Sequence, residues 1–149
     1  MKTMIVESAN GYMASGPSDT MLWTPSLDKQ VFRLITTMCG TCICSKHTYE
    51  LLPPKMLADP ARNYIIAEKT GSRSLPALAQ IYPSAMLIGG PIFLKAAYNQ
   101  SLLDTIIVST TKNNIEPNER YKNPFAHLRP DSTIKIGELT FRIFKIKCK

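Results

Sequence analysis

No stretch of the 149 residues approaches the run of about 20 apolar residues that spans a bilayer. The segment from Met1 to Glu7 places an acid where a secretory leader keeps its apolar run. These two absences predict a cytoplasmic chain with no membrane partner. There is no internal repeat, no low-complexity segment and no linker-like break, so residues 1–149 read as a single domain. That length buries a core without staples. Charged residues make up only 19% against 44% apolar, which excludes disorder. Four cysteines and two histidines are too few and too scattered for a structural metal. Cys39, Cys42 and Cys44 form a CxxC and a CxC, but a zinc site wants a second ligand pair, and only Cys148, His47 and His127 remain. No metal is expected. Cys42 and Cys44 fall on one face of a strand and read as small core residues.

Acids are also scarce. Eleven Asp and Glu against eighteen Lys and Arg give a net charge of +7, which favours polyanionic partners such as nucleotide cofactors and acidic metabolites. The basic residues are spread along the chain, with a small cluster of Arg142, Lys145, Lys147 and Lys149 at the end. No stacking-aromatic pattern accompanies them, so no nucleic-acid partner is expected.

What is present is an alternation of strand and helix signals. Met4 to Val6 reads as a buried strand, followed by a long polar loop to Trp23 of the kind that often forms a functional lid. A helix then runs from about Asp28 to Met38 and stops at Gly40, a left-handed cap. Pro25 suits its first turn, with Thr24 or Ser26 as caps, and Leu27, Val31, Leu34 and Ile35 supply an apolar stripe. Thr41–Cys44 reads as a strand. A helix from Ser45 follows, ended by Pro53 and Pro54. Arg62–Ala67 is a strand, Leu75–Tyr82 a helix, Ser84–Ile88 a strand, Ile92–Tyr98 a helix and Leu103–Thr111 a strand. Residues Lys112 to Pro130 are irregular. Thr133–Ile136 and Leu139–Ile146 form a hairpin, with Gly137 at the first position of a type II′ turn. The pattern predicts an α/β fold: a central, mostly parallel sheet with helices on both faces and an antiparallel C-terminal hairpin.

Two features carry chemistry. Asp28 and Phe32 lie four apart, one turn above the other. On the residues alone, Asp28 reads either as a solvated first-turn acid complementing the helix dipole or as a carboxylate aimed into a pocket. Gly89 and Gly90 join a strand to a helix, so the backbone there can approach an anion. Neither GxGxxG nor a Walker lysine accompanies them, and an ordinary tight turn explains them equally well. His47 reads as a surface residue with no paired nucleophile.

Taken together, four blocks resemble the dihydrofolate reductase family over nearly the whole chain. They are the Trp23–Asp28–Phe32 spacing, Cys44 to Glu50, Arg62 to Ile66, and Met86 to Gly90 followed by Ile106 to Ser109. The resemblance implies a dihydrofolate-reductase-like three-layer sandwich and hydride transfer from NADPH to the pterin of dihydrofolate, by a monomer. It implies catalytic roles for Asp28, Trp23 and Ser109, with Asp28 hydrogen-bonding the amidine-like edge of the pterin. Ile5, Val6 and Glu7 would line the pterin, Phe32 and Leu52 would pack against its rings, and Arg62 would pair with the substrate's α-carboxylate. Glu7 stands where the family keeps a small or apolar residue, which implies a second acid near the site. On the cofactor side it implies Met13, Ala14 and Met21 in the lid, Lys46, His47 and Thr48 on the adenosine phosphates, and Glu68 and Lys69 near the 2′-phosphate. Ile88, Gly89, Gly90, Pro91, Ile92 and Phe93 would meet the nicotinamide and pyrophosphate, with a cis bond between Gly89 and Gly90. Ser8 to Ala14 is also similar to a block of the riboflavin-pathway reductase domain on the same fold, which implies a ribosyl-aminopyrimidine substrate. A third reading is a non-catalytic binding or assembly protein that keeps the fold.

Overall fold

A computed structural model describes residues 1–147, leaving Cys148 and Lys149 outside the described residues. Seven strands form one sheet: β1 (Lys2–Glu7), β2 (Thr41–Cys44), β3 (Asn63–Ile66), β4 (Met86–Ile88), β5 (Thr105–Thr110), β6 (Ser132–Ile136) and β7 (Leu139–Lys145). Their order is β3-β2-β4-β1-β5-β7-β6. The first five neighbours pair in parallel, and β7 turns the sheet antiparallel against β5 and β6. The five α-helices are α1 (Ser26–Cys39), α2 (Lys46–Leu51), α3 (Pro54–Leu57), α4 (Leu75–Ile81) and α5 (Pro91–Asn99).

Alternation along the strands divides the molecule into three layers. On one face Met4, Cys42, Met86, Leu139 and Phe141 pack under Leu27, Val31, Phe32 and Ile35 of α1. On the other, Ile5, Ile43, Leu87, Ile106 and Val108 meet Leu75 and Leu78 of α4 and Leu94 and Ala97 of α5. Both faces are covered, so the parallel strands read as near-continuous apolar runs. Cys42 and Cys44 are fully buried, and burial pushes their thiols up to about 12 and about 11. They are core residues, as their spacing predicts.

Several local expectations need correction. Pro25 is not in the first turn but is the extended residue before it (φ −65°, ψ 153°), and no side chain caps the helix there. The Thr24 hydroxyl donates instead to Met21 O at 2.8 Å. Leu34 does not face the sheet. At about 100° per residue the buried stripe is centred near Asp28 and Ile35, which leaves Leu34 about 120° away, and it is 60% exposed. Pro54 does end α2, but it also opens α3, where a missing N–H costs nothing. Among the described residues there is no cis peptide bond, so Gly89–Gly90 is trans. Gly40 closes α1 at φ 74° and Gly137 turns the hairpin at φ 57° while Glu138 stays at negative φ, which is the II′ rather than the I′ pattern.

Candidate functional site

Because β1, β2, β4 and β5 run parallel, their C-terminal ends gather Glu7, Cys44, Ile88 and Thr110 along one edge of the sheet. The chain leaves that edge into α2, α5 and the long loop before α1. This is where open α/β sheets place ligands.

Asp28 sits at the centre of the buried stripe of α1, where an apolar residue belongs. It is 5% exposed. Val6 and Ser109 are paired in register and share a face of the sheet, and Ser109 meets Asp28 from β5. Burial pushes the Asp28 carboxyl above its ordinary value, while Ser109 and Lys29 pull it partly back. The Ser109 hydroxyl is near enough to be felt, yet its geometry closes no hydrogen bond: Asp28 Oδ1 and Ser109 Oγ are both buried without a partner. Two orphaned polar atoms in one place are costly, at about 1–3 kcal/mol each. They are the arrangement expected of groups that wait for a ligand. Phe32, one turn along, is half-buried and packs in the same layer as Ile88.

Glu7 is different. Neighbouring strand residues point to opposite faces, so Val6 looks toward Asp28 and Glu7 looks away. Its carboxylate accepts from Asn123 Nδ2 at 3.3 and 3.2 Å, and burial raises its pKa against the pull of Asn123 and Arg142. The second acid is buried, but on the far side of the sheet from the first.

The loop before α1 is knotted by a residue that sequence reasoning overlooked. Asp19 Oδ2 accepts from Ser15 N, Ser15 Oγ and Trp23 Nε1 at 2.8, 3.0 and 3.1 Å, and Oδ1 accepts from Met21 N at 2.7 Å. Burial would raise this carboxyl, but the hydrogen bonds together hold it below its usual range. Met21 is thereby fixed at φ 59°, a left-handed conformation rare for methionine. The indole of Trp23 is thus committed to the loop. The signal was available in the sequence: serine and aspartate four apart in a polar loop favour local side-chain to backbone bonds. Replacing Asp19 by Ala is expected to lower stability by only about 1–2 kcal/mol, since the site is part-exposed. The same change should speed amide exchange at Met21 and Trp23, and unchanged exchange there would sink the knot.

Met13 and Ala14 are buried, and Met13 belongs to the core cluster beneath α4 and α5 rather than to a cleft wall. Its N–H donates to Tyr121 O at 2.7 Å, and Asn123 N donates to Gly11 O at 3.0 Å, clamping this segment to residues 121–123. At α2, Ser45 Oγ accepts from Thr48 N at 3.3 Å, leaving Lys46 and His47 exposed. Glu68 and Lys69 are exposed beyond β3, and Leu52 closes α2 half-buried. At α5, Gly90 is the cap residue and no side chain caps it, so the first N–H groups of the helix are free donors. Pro91, buried at the first position, removes one donor. A Cβ on Gly89 would lie 2.9 Å from Phe93 Cδ1, whereas one on Gly90 would meet nothing within 4 Å. The aromatic ring of the chain itself therefore covers Gly89, and Gly90 is the open approach. Ile92 is exposed. Uncapped α5 donors with Lys46 and His47 across the edge fit a dinucleotide's phosphates.

Arg62, the expected carboxylate anchor, is buried and already partnered. Its Nε and Nη2 reach Asp59 Oδ2 at 3.2 and 3.1 Å, and Nη1 donates to Thr36 Oγ1 at 3.4 Å. Opposite charges three apart were legible in the sequence, although the burial was not.

No protein-family model matches the sequence, and no curated protein matches it. Solved structures do. Dihydrofolate reductase from Enterococcus faecalis, complexed with NADP(H) and RAB-propyl, matches with a TM-score of 0.70 at 13% identity, over 97% of this chain and 94% of that one. RibD from Acinetobacter baumannii matches with a TM-score of 0.67 at 11% identity, over 98% of this chain and 58% of that one. The chain thus spans a little over half the length of that second neighbour. Both likenesses run over nearly the whole of this chain: its fold is the dihydrofolate reductase fold, which RibD shares.

Proposed function

We propose that this chain is an NADPH-dependent dihydropterin reductase of the dihydrofolate reductase type, with residues 1–149 acting as one domain and as a monomer. The observation that carries the reading is the pair of buried, unpartnered atoms Asp28 Oδ1 and Ser109 Oγ at the ligand-binding edge of the sheet. An ionised carboxylate in an apolar layer favours a cationic partner. The N–H groups of an amidine-like heterocycle edge supply two donors in the geometry a carboxylate accepts. Asp28 therefore holds the pterin edge and favours its protonated form, Ser109 supports both, and Phe32 packs on the ring. When bound, NADPH supplies the hydride. Gly90, Ile92 and Phe93 at α5, with Lys46, His47 and Thr48 at α2, would hold its phosphates. The loop knotted by Asp19 closes over the reacting rings and keeps water out.

The E. faecalis enzyme's complex with NADP(H) supports the cofactor assignment by fold alone. The test is oxidation of NADPH with dihydrofolate as substrate, repeated with methotrexate. Turnover that methotrexate abolishes is the expected result. Stabilisation by NADPH without turnover on dihydrofolate would transfer the reading to a ribosyl-aminopyrimidine, the substrate class implied by the riboflavin-type resemblance. No response to either ligand would leave the fold as a binding scaffold.

A further inference from the structure

A basic groove lies on the flank of α5 that faces away from α2. The helix follows β4, which stands between β2 and β1 in the sheet. Lys46 and His47 leave the end of β2 and so lie to one side of it. On the other side, where residues 119–124 are bonded to the chain leaving β1, a groove of about 360 Å³ opens against Pro91, Ile92 and Lys95 of α5. That volume is within the range of small-ligand sites. Its far wall carries Glu119, Arg120, Lys122, Asn123 and Pro124. This wall is irregular chain, yet its backbone is held at several points. Asn118 Oδ1 accepts from Arg120 N at 3.1 Å, and Asn118 Nδ2 donates to Ser15 O at 3.2 Å. Tyr121 O and Asn123 N bond Met13 and Gly11. The Tyr12 hydroxyl donates to Glu119 Oε1 at 3.3 Å. The cations are the opposite case: Lys95, Arg120 and Lys122 are exposed and, among the described residues, none of them is in an ion pair. Three cations facing one acid leave the groove a net charge of +2. A phosphate monoester carries about −1.5 to −2 at neutral pH and offers three acceptor oxygens, which matches both the charge and the donors. A wall already held in place lowers the cost of ordering the site. Pro91, Ile92 and Pro124 supply an apolar surface for the body of such a ligand. The groove has no stacking rings along which a polynucleotide could track.

We propose that this groove is a binding site for a small organic phosphate, with Lys95, Arg120 and Lys122 on the anion and Glu119 Oε2 accepting from a hydroxyl of its body. The inference stands apart from the pterin reading of Asp28. Pro91 and Ile92 are common to both flanks of α5, but no cation is shared with the α2 side. Lys95, in the second turn of α5, acts without the helix end. The wall that carries Arg120 and Lys122 also holds Gly11 and Met13, so an anion that braces it slows the opening of residues 11–13. Occupancy of the groove is thereby felt at the start of the loop before α1.

The test is calorimetric titration of the full chain with glycerol 3-phosphate, and with inorganic sulfate as a plain dianion. One saturable site per chain is expected for glycerol 3-phosphate, with sulfate weaker by about fivefold or more. Lys95→Ala, and Arg120→Ala combined with Lys122→Ala, are each expected to weaken it by about tenfold or more. These side chains are exposed and outside any ion pair, so their loss leaves the fold intact. Lys46→Ala, on the other flank, is expected to change the affinity by less than about twofold. Glycerol 3-phosphate is also expected to slow amide exchange at Met13 and Asn123 by about threefold or more in the wild type and not in the double variant. No saturable site, or sulfate bound as tightly, would overturn the proposal. So would a loss in Lys46→Ala as large as in the groove variants, which would move the phosphate to the α2 side. Affinity that falls with salt but is unmoved by all three groove substitutions would reduce the effect to the overall charge of the chain and overturn the site.

Discussion

Asp28→Asn is expected to lower kcat for dihydropterin reduction by about 10²–10³-fold at neutral pH while leaving NADPH affinity nearly unchanged. The amide keeps the shape of the side chain but cannot carry the charge that holds a protonated heterocycle. The same substitution is expected to make the protein more stable. Burial raises the Asp28 carboxyl above its ordinary value of 3.8, so the folded state binds a proton more tightly than the unfolded one. Below 3.8 both states are protonated and the carboxyl costs nothing. As pH rises from there through the folded-state pKa, burying the charge becomes progressively more costly, and above that value the cost is constant. The Asn variant escapes it. A gain of about 1–2 kcal/mol near neutrality, fading toward acid, is the expected signature of a functional group held against stability. Thermal denaturation across pH, paired with single-turnover rates and NADPH titration, checks both halves. Equal loss of turnover and of cofactor binding would make Asp28 a structural residue.

Asn123→Ala carries the largest expected effect on stability, about 2–4 kcal/mol at neutral pH. Asn123 donates to both oxygens of the Glu7 carboxylate, and its own Oδ1 accepts from Phe125 N at 2.8 Å. Removing it leaves a buried carboxylate with only the more distant charge of Arg142, and a buried amide with no acceptor. The pH dependence separates the two losses. Glu7 already sits above its ordinary value of 4.5 because of burial, and Asn123, ahead of Arg142, is what pulls it back. Without Asn123 the folded-state value rises further. Below 4.5 the carboxyl is protonated in both states and only the lost acceptor for Phe125 N is felt. As pH climbs through the folded-state value the charge must be buried unaided, and the full penalty appears. Chemical denaturation of wild type and variant on both sides of that range tests this. A penalty independent of pH would show that Glu7 does not depend on Asn123. Because Asn123 N also holds Gly11 O, the variant is expected to loosen the segment from Ser8 to Ala14 as well.

The course of the chain was legible because its signals are local. Several elements of the main fold are bounded by residues whose backbone preference is set by their own chemistry: Gly40 and Gly137 at positive φ, Ser45 and Ser74 capping α2 and α4. The apolar runs of β1, β2, β4 and β5 required a sheet covered on both faces. Asp28 and Phe32 were visible as a helical pair for the same reason, since four residues make one turn in any context. The resemblance carried by the four blocks pointed to the same sheet and hairpin.

What local chemistry does not encode is which partner a side chain meets across the fold. Whether Asp28 was solvated or buried depended on α1 laying that face against Met4, Met86 and Phe141, residues brought together by crossovers of the chain. Glu7 reads as a neighbour of Val6 in sequence, yet the pleat turns it to the opposite side, where Asn123 waits 116 positions away. Arg62 has the residue type of a ligand anchor, and only the packing of its loop against Thr36 shows that it is buried and paired with the protein's own Asp59. The sequence by itself determined the strands, the helices other than the short α3, their order along the chain and the mixed sheet, because propensity and periodicity act within a few residues. The tertiary structure alone decided which buried charges are satisfied and which are left open for a ligand, because desolvation and pairing depend on neighbours that only the fold supplies.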